Sequence, residues 1–202
     1  MGVSMGARMK GLWPLAIVGA VLVFLWIEIC FDWVGPNLKG DIPQLAPVVA
    51  AGFVAWGFYF AAGTGKTGFL KTLVGSIFGV VAGAILMAVG PSVTGGTVIG
   101  VSLTAGILAL ILLFCIAIND LVFVPAAFGA FACVVFVWQI TGLDNFAATP
   151  NTMTFTGVAV NTLIALIAGC VLGIVHTTVA AAITPKGQKA DEAAAVQEIV
   201  DR

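Results

Sequence analysis

The chain has 202 residues, of which 61% are hydrophobic and 8% charged, and its mean hydropathy is +1.17. Soluble domains carry roughly a quarter charged residues and cannot hide this much apolar surface, which excludes a soluble enzyme, a disordered chain and a secreted disulfide scaffold. A net charge of −1, from 8 Lys and Arg against 9 Asp and Glu, provides no basic face for nucleic acid. The expected class is an all-α, polytopic membrane helical bundle.

Six continuous apolar runs are long enough to cross a hydrocarbon core of about 30 Å. They are Leu12–Phe31, Leu45–Ala62, Leu70–Val89, Val93–Ile118, Leu121–Thr141 and Phe155–Ile183. A barrel would show alternating runs of about ten residues, whereas these are continuous and rich in Leu, Ala, Gly and Val, so six transmembrane helices are expected. Residues 1–184 then form one membrane domain, and residues 185–202 a polar cytoplasmic tail.

The first run follows Arg8 and Lys10 but lacks a small-x-small cleavage site, so it reads as a retained helix. Near its outer end, Glu28 and Asp32 stand four apart on one helical face, flanked by Trp26 and Trp33 as interface anchors. Ionisable groups at membrane depth are costly and make both candidates; Asp32 is expected to be wet, and Glu28, about one turn deeper, is the one placed to gate a vestibule or bind a cation or proton. The second run begins near Pro47 and carries Gly52, Trp56 and Tyr59. Gly63-Thr64-Gly65-Lys66-Thr67 resembles part of a phosphate loop, but Phe60 stands where that motif needs its first Gly, so it reads as an inner loop.

In the third run Gly75, Gly79 and Gly83 recur every four residues, as do Gly96 and Gly100 in the fourth and Gly169 and Gly173 in the sixth. Small residues at this spacing let helix backbones approach closely, so they are expected to mark packing seams. The tight reversals are expected at Pro91–Ser92 and Asn119–Asp120. The fifth run opens near Pro125, continues through Phe128 and Gly129, and ends near Trp138 and Gln139, which are expected at the membrane interface. The sixth carries Asn161, an amide well inside the span, which with Thr156 and Thr162 could hydrogen-bond a small polar solute or a neighbouring helix, and His176, the single histidine, for which helix packing is the favoured role. Cys30, Cys115, Cys133 and Cys170 lie on four different runs with no metal-ligand spacing, so no metal or cofactor is expected. No paired acid and base or nucleophile motif is present, so no enzymatic activity is expected.

Basic residues orient the bundle. With six spans, Arg8, Lys10, Lys66, Lys71, Lys186, Lys189 and Arg202 share one side and Lys39 alone takes the other. The bias predicts that both termini are cytoplasmic. The second and fifth runs also look alike: Pro47 and Pro125 each precede small residues and then aromatics, and the run that follows is Gly-rich in both cases. Three spans per half makes the halves antiparallel, a 3+3 inverted repeat of the kind used by transporters, with Pro47 and Pro125 as helix-break candidates.

The stretches Gly52-Phe-Val-Ala-Trp-Gly-Phe-Tyr-Phe60-Ala-Ala-Gly63, Gly68-Phe-Leu-Lys71 and Phe123-Val-Pro125-Ala-Ala-Phe-Gly129-Ala-Phe-Ala132 resemble the YcdZ-like family of small bacterial inner-membrane proteins, a domain of unknown function. The likeness runs from about Leu12 to Val175, and the chain looks longer than the shorter members around its outer loops. The resemblance implies a bacterial cytoplasmic membrane and a polytopic helical fold, and supplies no substrate. The expected function is a channel or transporter for a small uncharged or weakly acidic solute, with the lipid bilayer and a second copy of the chain as its expected partners. Gly52, Trp56, Tyr59, Phe128, Gly129 and Asn161 are the solute-path candidates. The alternative is an accessory subunit held among other membrane subunits.

Overall fold

The computed structural model describes residues 5–34, 48–95, 97–115, 122–141 and 155–185. Pro47, Gly96, the Asn119–Asp120 reversal, residues 35–46, residues 142–154 and the tail from Lys186 lie outside the described residues. Among the described residues there is no strand. Helices run as α1 (Met5–Glu28), α2 (Val49–Ala61), α3 (Gly65–Val89), α4 (Val98–Phe114), α5 (Val124–Thr141) and α6 (Phe155–Ile183).

Four stretches are long and apolar enough to cross a membrane: Leu12–Trp33, Gly65–Val93, Val124–Thr141 and Thr156–Ile183. The protein is therefore read as a multi-pass membrane protein. The other two helices are shorter than the runs that predict them. α2 has 13 residues and α4 has 17, which at 1.5 Å per residue gives about 20 Å and 26 Å.

The ends of the runs shift for identifiable reasons. α3 starts at Gly65, five residues before the expected Leu70, because Gly63 (φ +102°), Thr64 (φ +57°) and Gly65 (φ +55°) reverse the chain in one tight turn. Thr64 N–H donates to the Tyr59 carbonyl at 3.1 Å and Gly65 N–H to the Tyr59 hydroxyl at 2.9 Å. Lys66 accordingly sits exposed in the first turn of α3, and Lys71 is half-buried on the helix itself. At the other end the chain does not reverse at Pro91–Ser92. It continues through a 3-10 segment, Gly90–Gly95, and α4 begins only at Val98, after Gly95 adopts φ +68°. Beyond Glu28, α1 widens into a π-helical turn, Ile29–Val34.

α2, α3, α5 and α6 form the core. α3 packs along α5, α2 along α6, and α3 crosses α6, while α1 lies against α6 and α4 against α3. α1 and α4 present Ile17, Phe24, Ile99, Leu103, Ile107 and Phe114 outward, as helices at the lipid boundary do.

The α2–α6 and α3–α5 crossings are built alike. A Cβ placed on Gly169 would meet the Gly52 carbonyl oxygen and come within 3.0 Å of the Ala55 Cβ. One placed on Gly79 would meet the Ala127 carbonyl oxygen and the Ala130 Cβ, the latter at 2.8 Å. One turn further on, Gly173 lies under Tyr59 and Gly83 under Val134. Adding 75 to a residue number in α2 gives its counterpart in α5 (Gly52 to Ala127, Ala55 to Ala130, Tyr59 to Val134), and adding 90 takes α3 to α6 (Gly79 to Gly169, Gly83 to Gly173). Aligning Pro47 with Pro125 instead implies an offset of 78, so the packing register differs from the sequence alignment by three residues, close to one helical turn. Pro125 stands second in α5, where its missing N–H costs no helical bond, and the helix runs on without interruption to Thr141.

Candidate functional site

Three of the residues singled out from the sequence come together between α1, α2 and α6. Trp56 Nε1–H donates to His176 Nδ1 at 3.2 Å. The unprotonated Nδ1 leaves the proton on Nε2, which lies 2.7 Å from the Leu15 carbonyl oxygen and donates to it. The imidazole is 8% exposed and stands edge-on to the rings of Trp56 and Phe60, each with its centroid 5.2 Å away. Gly19 of α1 makes room for it, since a Cβ there would lie 3.1 Å from His176 Cε1. Both ring nitrogens of His176 are thus hydrogen-bonded within the bundle. Beside it Tyr59, wholly buried, bonds the Thr177 hydroxyl at 2.8 Å and accepts from Gly65 N–H. The second half of the chain has no such cluster. The counterparts of Trp56, Tyr59, His176 and Thr177 in the packing register are Phe131, Val134, Leu86 and Met87.

The other solute-path candidates lie elsewhere. Gly52 is covered by Trp26, whose indole would stand 2.6 Å from a Cβ at that position. Trp26 is itself buried and donates Nε1–H to the Val49 carbonyl at 3.0 Å. It is therefore a core contact, where the sequence predicts an interface anchor; Trp33 is exposed. Trp138 is also buried, against the interfacial place expected of it, whereas its neighbour Gln139 is exposed. Gly129 lies at the α2–α5 contact under the ring of Phe58, and Phe128 is half-buried at the edge of the core. Asn161 is wholly buried in α6 and donates Nδ2–H to the Gly157 carbonyl at 2.9 Å. Glu28 is half-buried as the last residue of α1; Asp32 is exposed within the π-helical turn, whose wider spacing breaks the one-turn relation expected of the two. The four cysteines are buried and unbridged. Among the described residues no three His, Cys, Asp or Glu side chains gather as a metal site.

Of one further set, sequence reasoning points to Thr162 and passes over Thr72 and Ser76. Thr72 and Ser76 on α3 and Thr162 on α6 are buried, and their hydroxyls have no hydrogen-bond partner. Elsewhere in the bundle buried threonines satisfy themselves on their own helix. Thr104, Thr141 and Thr184 each donate to the carbonyl four residues back, at 2.8, 2.7 and 2.7 Å. The three orphans forgo that bond, at about 1–3 kcal/mol for each buried unsatisfied hydroxyl. Thr72 and Thr162 are counterparts in the packing register, ninety residues apart. Among the described residues the buried polar side chains include no Lys, Arg, Asp or Glu. A short hydroxyl within an apolar run carries no pattern that tells whether it is bonded, so only the packing reveals the orphans.

Comparison with known proteins supports the uncharacterised-family expectation and goes no further. No curated protein matches the chain, and no solved structure does. A family model described as "Protein of unknown function (DUF1097)" matches residues 15–181, from within α1 to the last turn of α6; it does not single out YcdZ. The match takes in α2 to α5 whole and most of α1 and α6, and the chain belongs to this DUF1097 family.

Proposed function

We propose that the protein is a channel or transporter for a small uncharged or weakly acidic solute, built as two inverted three-helix halves in a bacterial cytoplasmic membrane with both termini inside. The observation that carries this reading is the equal register of the two glycine crossings: α2 on α6 and α5 on α3 repeat the same close approach. Two further pairs of contacts follow the same exchange, with α1 on α6 answered by α4 on α3, and α2 on α3 answered by α5 on α6. Antiparallel halves of this kind enclose a solute site where they meet.

The path then follows the α3–α6 seam. The choice is supported by Thr72 and Ser76 on α3 and Thr162 on α6, whose buried hydroxyls have hydrogen bonds to give. A buried path free of Lys, Arg, Asp and Glu suits an uncharged molecule, because a charged one would lose its hydration without a counter-charge.

The test is flux into proteoliposomes followed by light scattering, using water, urea, glycerol, formamide, formate and acetate against empty vesicles. At least one solute is expected to enter faster than the control. Thr72→Val and Thr162→Val, which keep side-chain volume and remove the hydroxyl, are expected to lower that flux several-fold. Each is also expected to leave the fold at least as stable, since an unsatisfied hydroxyl costs about 1–3 kcal/mol. Flux unchanged by both substitutions would remove the seam as the path. Failure of every solute to enter, from folded protein, would favour the accessory-subunit reading.

A further inference from the structure

Between α2 and α5 lies a cavity of about 480 Å³. It starts where Val54 meets Gly129, two residues that are counterparts in the packing register, and runs toward Val48 and Val137, where α2 begins and α5 ends. On the other side of that meeting point the same space is filled. Phe58 and Phe123 stand there edge to face with ring centroids 6.1 Å apart. Their counterparts are Cys133 and Val48, both on the cavity wall. The cavity is thus the volume that two aromatic rings occupy in one half and a thiol and an isopropyl group leave open in the other.

We propose that this cavity binds one acyl chain of a membrane phospholipid. Every residue lining it is Val, Ala, Phe, Gly or Cys. No charge or hydrogen-bonding side chain faces in to complement a polar ligand, so a sugar, a headgroup or a fatty-acid carboxylate would lose its water bonds without replacement. A hydrocarbon chain matches the wall in charge and gains dispersion contacts along its length. The cavity opens sideways past Ala50, Ala132 and Phe136, which are exposed on the flank of a membrane bundle. Neither α1 nor α4 contributes to its lining. It also reaches the end of both helices, so a chain lying in it keeps its ester and headgroup at the membrane surface. The inference uses the packing register for its comparison and stands apart from the permeation path at the α3–α6 seam.

The experiment uses the full chain in vesicles containing a small fraction of phosphatidylcholine with a diazirine on one acyl chain. After irradiation the adducts are located by mass spectrometry. Adducts are expected to concentrate on the cavity wall, at Ala132, Cys133 and Phe136, several-fold over lipid-facing positions such as Phe24 and Ile107. Val48→Phe and Cys133→Phe each restore one missing ring, and Ala132→Leu narrows the mouth. Each is expected to reduce cavity adducts several-fold and leave those on α1 and α4 unchanged. Cavity labelling no higher than at Phe24 and Ile107, or unaffected in those variants that fold, would overturn the proposal. A free fatty acid bearing the same diazirine, if it labels the wall better than the phospholipid, would overturn it in favour of a free acid. Cross-linking between copies through Ala132→Cys, with the wall shielded from the lipid probe, would overturn it in favour of a second copy.

Discussion

Gly79→Ala and Gly169→Ala are each expected to abolish the folded bundle or to reduce its yield in mild detergent severely. In both cases the new methyl group would be driven into a backbone carbonyl oxygen of the partner helix, that of Ala127 for Gly79 and of Gly52 for Gly169. A flexible side chain can move aside, but a carbonyl held in a helix cannot, so α3 must separate from α5, or α2 from α6, along the whole seam. Overpacking a tight core costs about 1–3 kcal/mol where the surroundings can shift, and more where they cannot. Gly57→Ala and Gly106→Ala are the controls, since a Cβ at either position meets nothing within 4 Å. Both are expected to be neutral or stabilising by roughly 0.5–1 kcal/mol, the ordinary gain of Ala over Gly within a helix. Folded yield by size-exclusion chromatography checks all four. Matched losses at Gly79 and Gly169 are what two equivalent crossings require, and a loss at only one of them would show that the crossings are not equivalent in energy.

The second large effect is expected at His176. Replacing it with Leu leaves the Trp56 N–H buried without its acceptor and takes from the Leu15 carbonyl its bond to the ring. The stranded Trp56 N–H costs about 1–3 kcal/mol and the edge-on ring contacts are lost with it, so His176→Leu is expected to be destabilising in detergent unfolding. His176→Gln, which retains a donor and an acceptor, is expected to recover part of the loss. Trp56→Phe removes the donor that His176→Leu strands. The double variant is therefore expected to be less unstable than the sum of the two single ones. Strict additivity would mean that the Trp56–His176 bond contributes nothing to the bundle.

Composition alone made the membrane class legible, because 61% hydrophobic residues leave no other way to cover the chain. Glycine spacing marked Gly75, Gly79, Gly83, Gly169 and Gly173 as close approaches, and each lies at one. The register between the halves was harder to read. Small residues recur every turn in both α2 and α5, so aligning the prolines looks nearly as good as the offset of the two glycine crossings, from which it differs by three residues. Hydropathy cannot see that the chain stays helical through Pro91–Ser92 and first takes a positive φ at Gly95. Trp26 and Trp138 looked like interface anchors because tryptophan favours that zone. Gly52 leaves a hollow that draws Trp26 into the core instead, a pairing between distant residues that no local pattern carries. Which hydroxyls are orphaned was silent for the same reason, since a Thr bonded to its own helix and one bonded to nothing read identically.

The proposed arrangement of two inverted three-helix halves is tested most directly by the sidedness of Lys66 and Gly95. Both are exposed, at the α2–α3 turn and after α3. Single cysteines at these positions, in a background lacking Cys30, Cys115, Cys133 and Cys170, are labelled with a membrane-impermeant maleimide in intact cells and in inverted vesicles. If all six helices cross, Lys66→Cys reacts from the cytoplasmic side and Gly95→Cys from the outer side. If only the four longest stretches cross, the two positions exchange sides, and that result would contradict the inverted repeat and the path built on it.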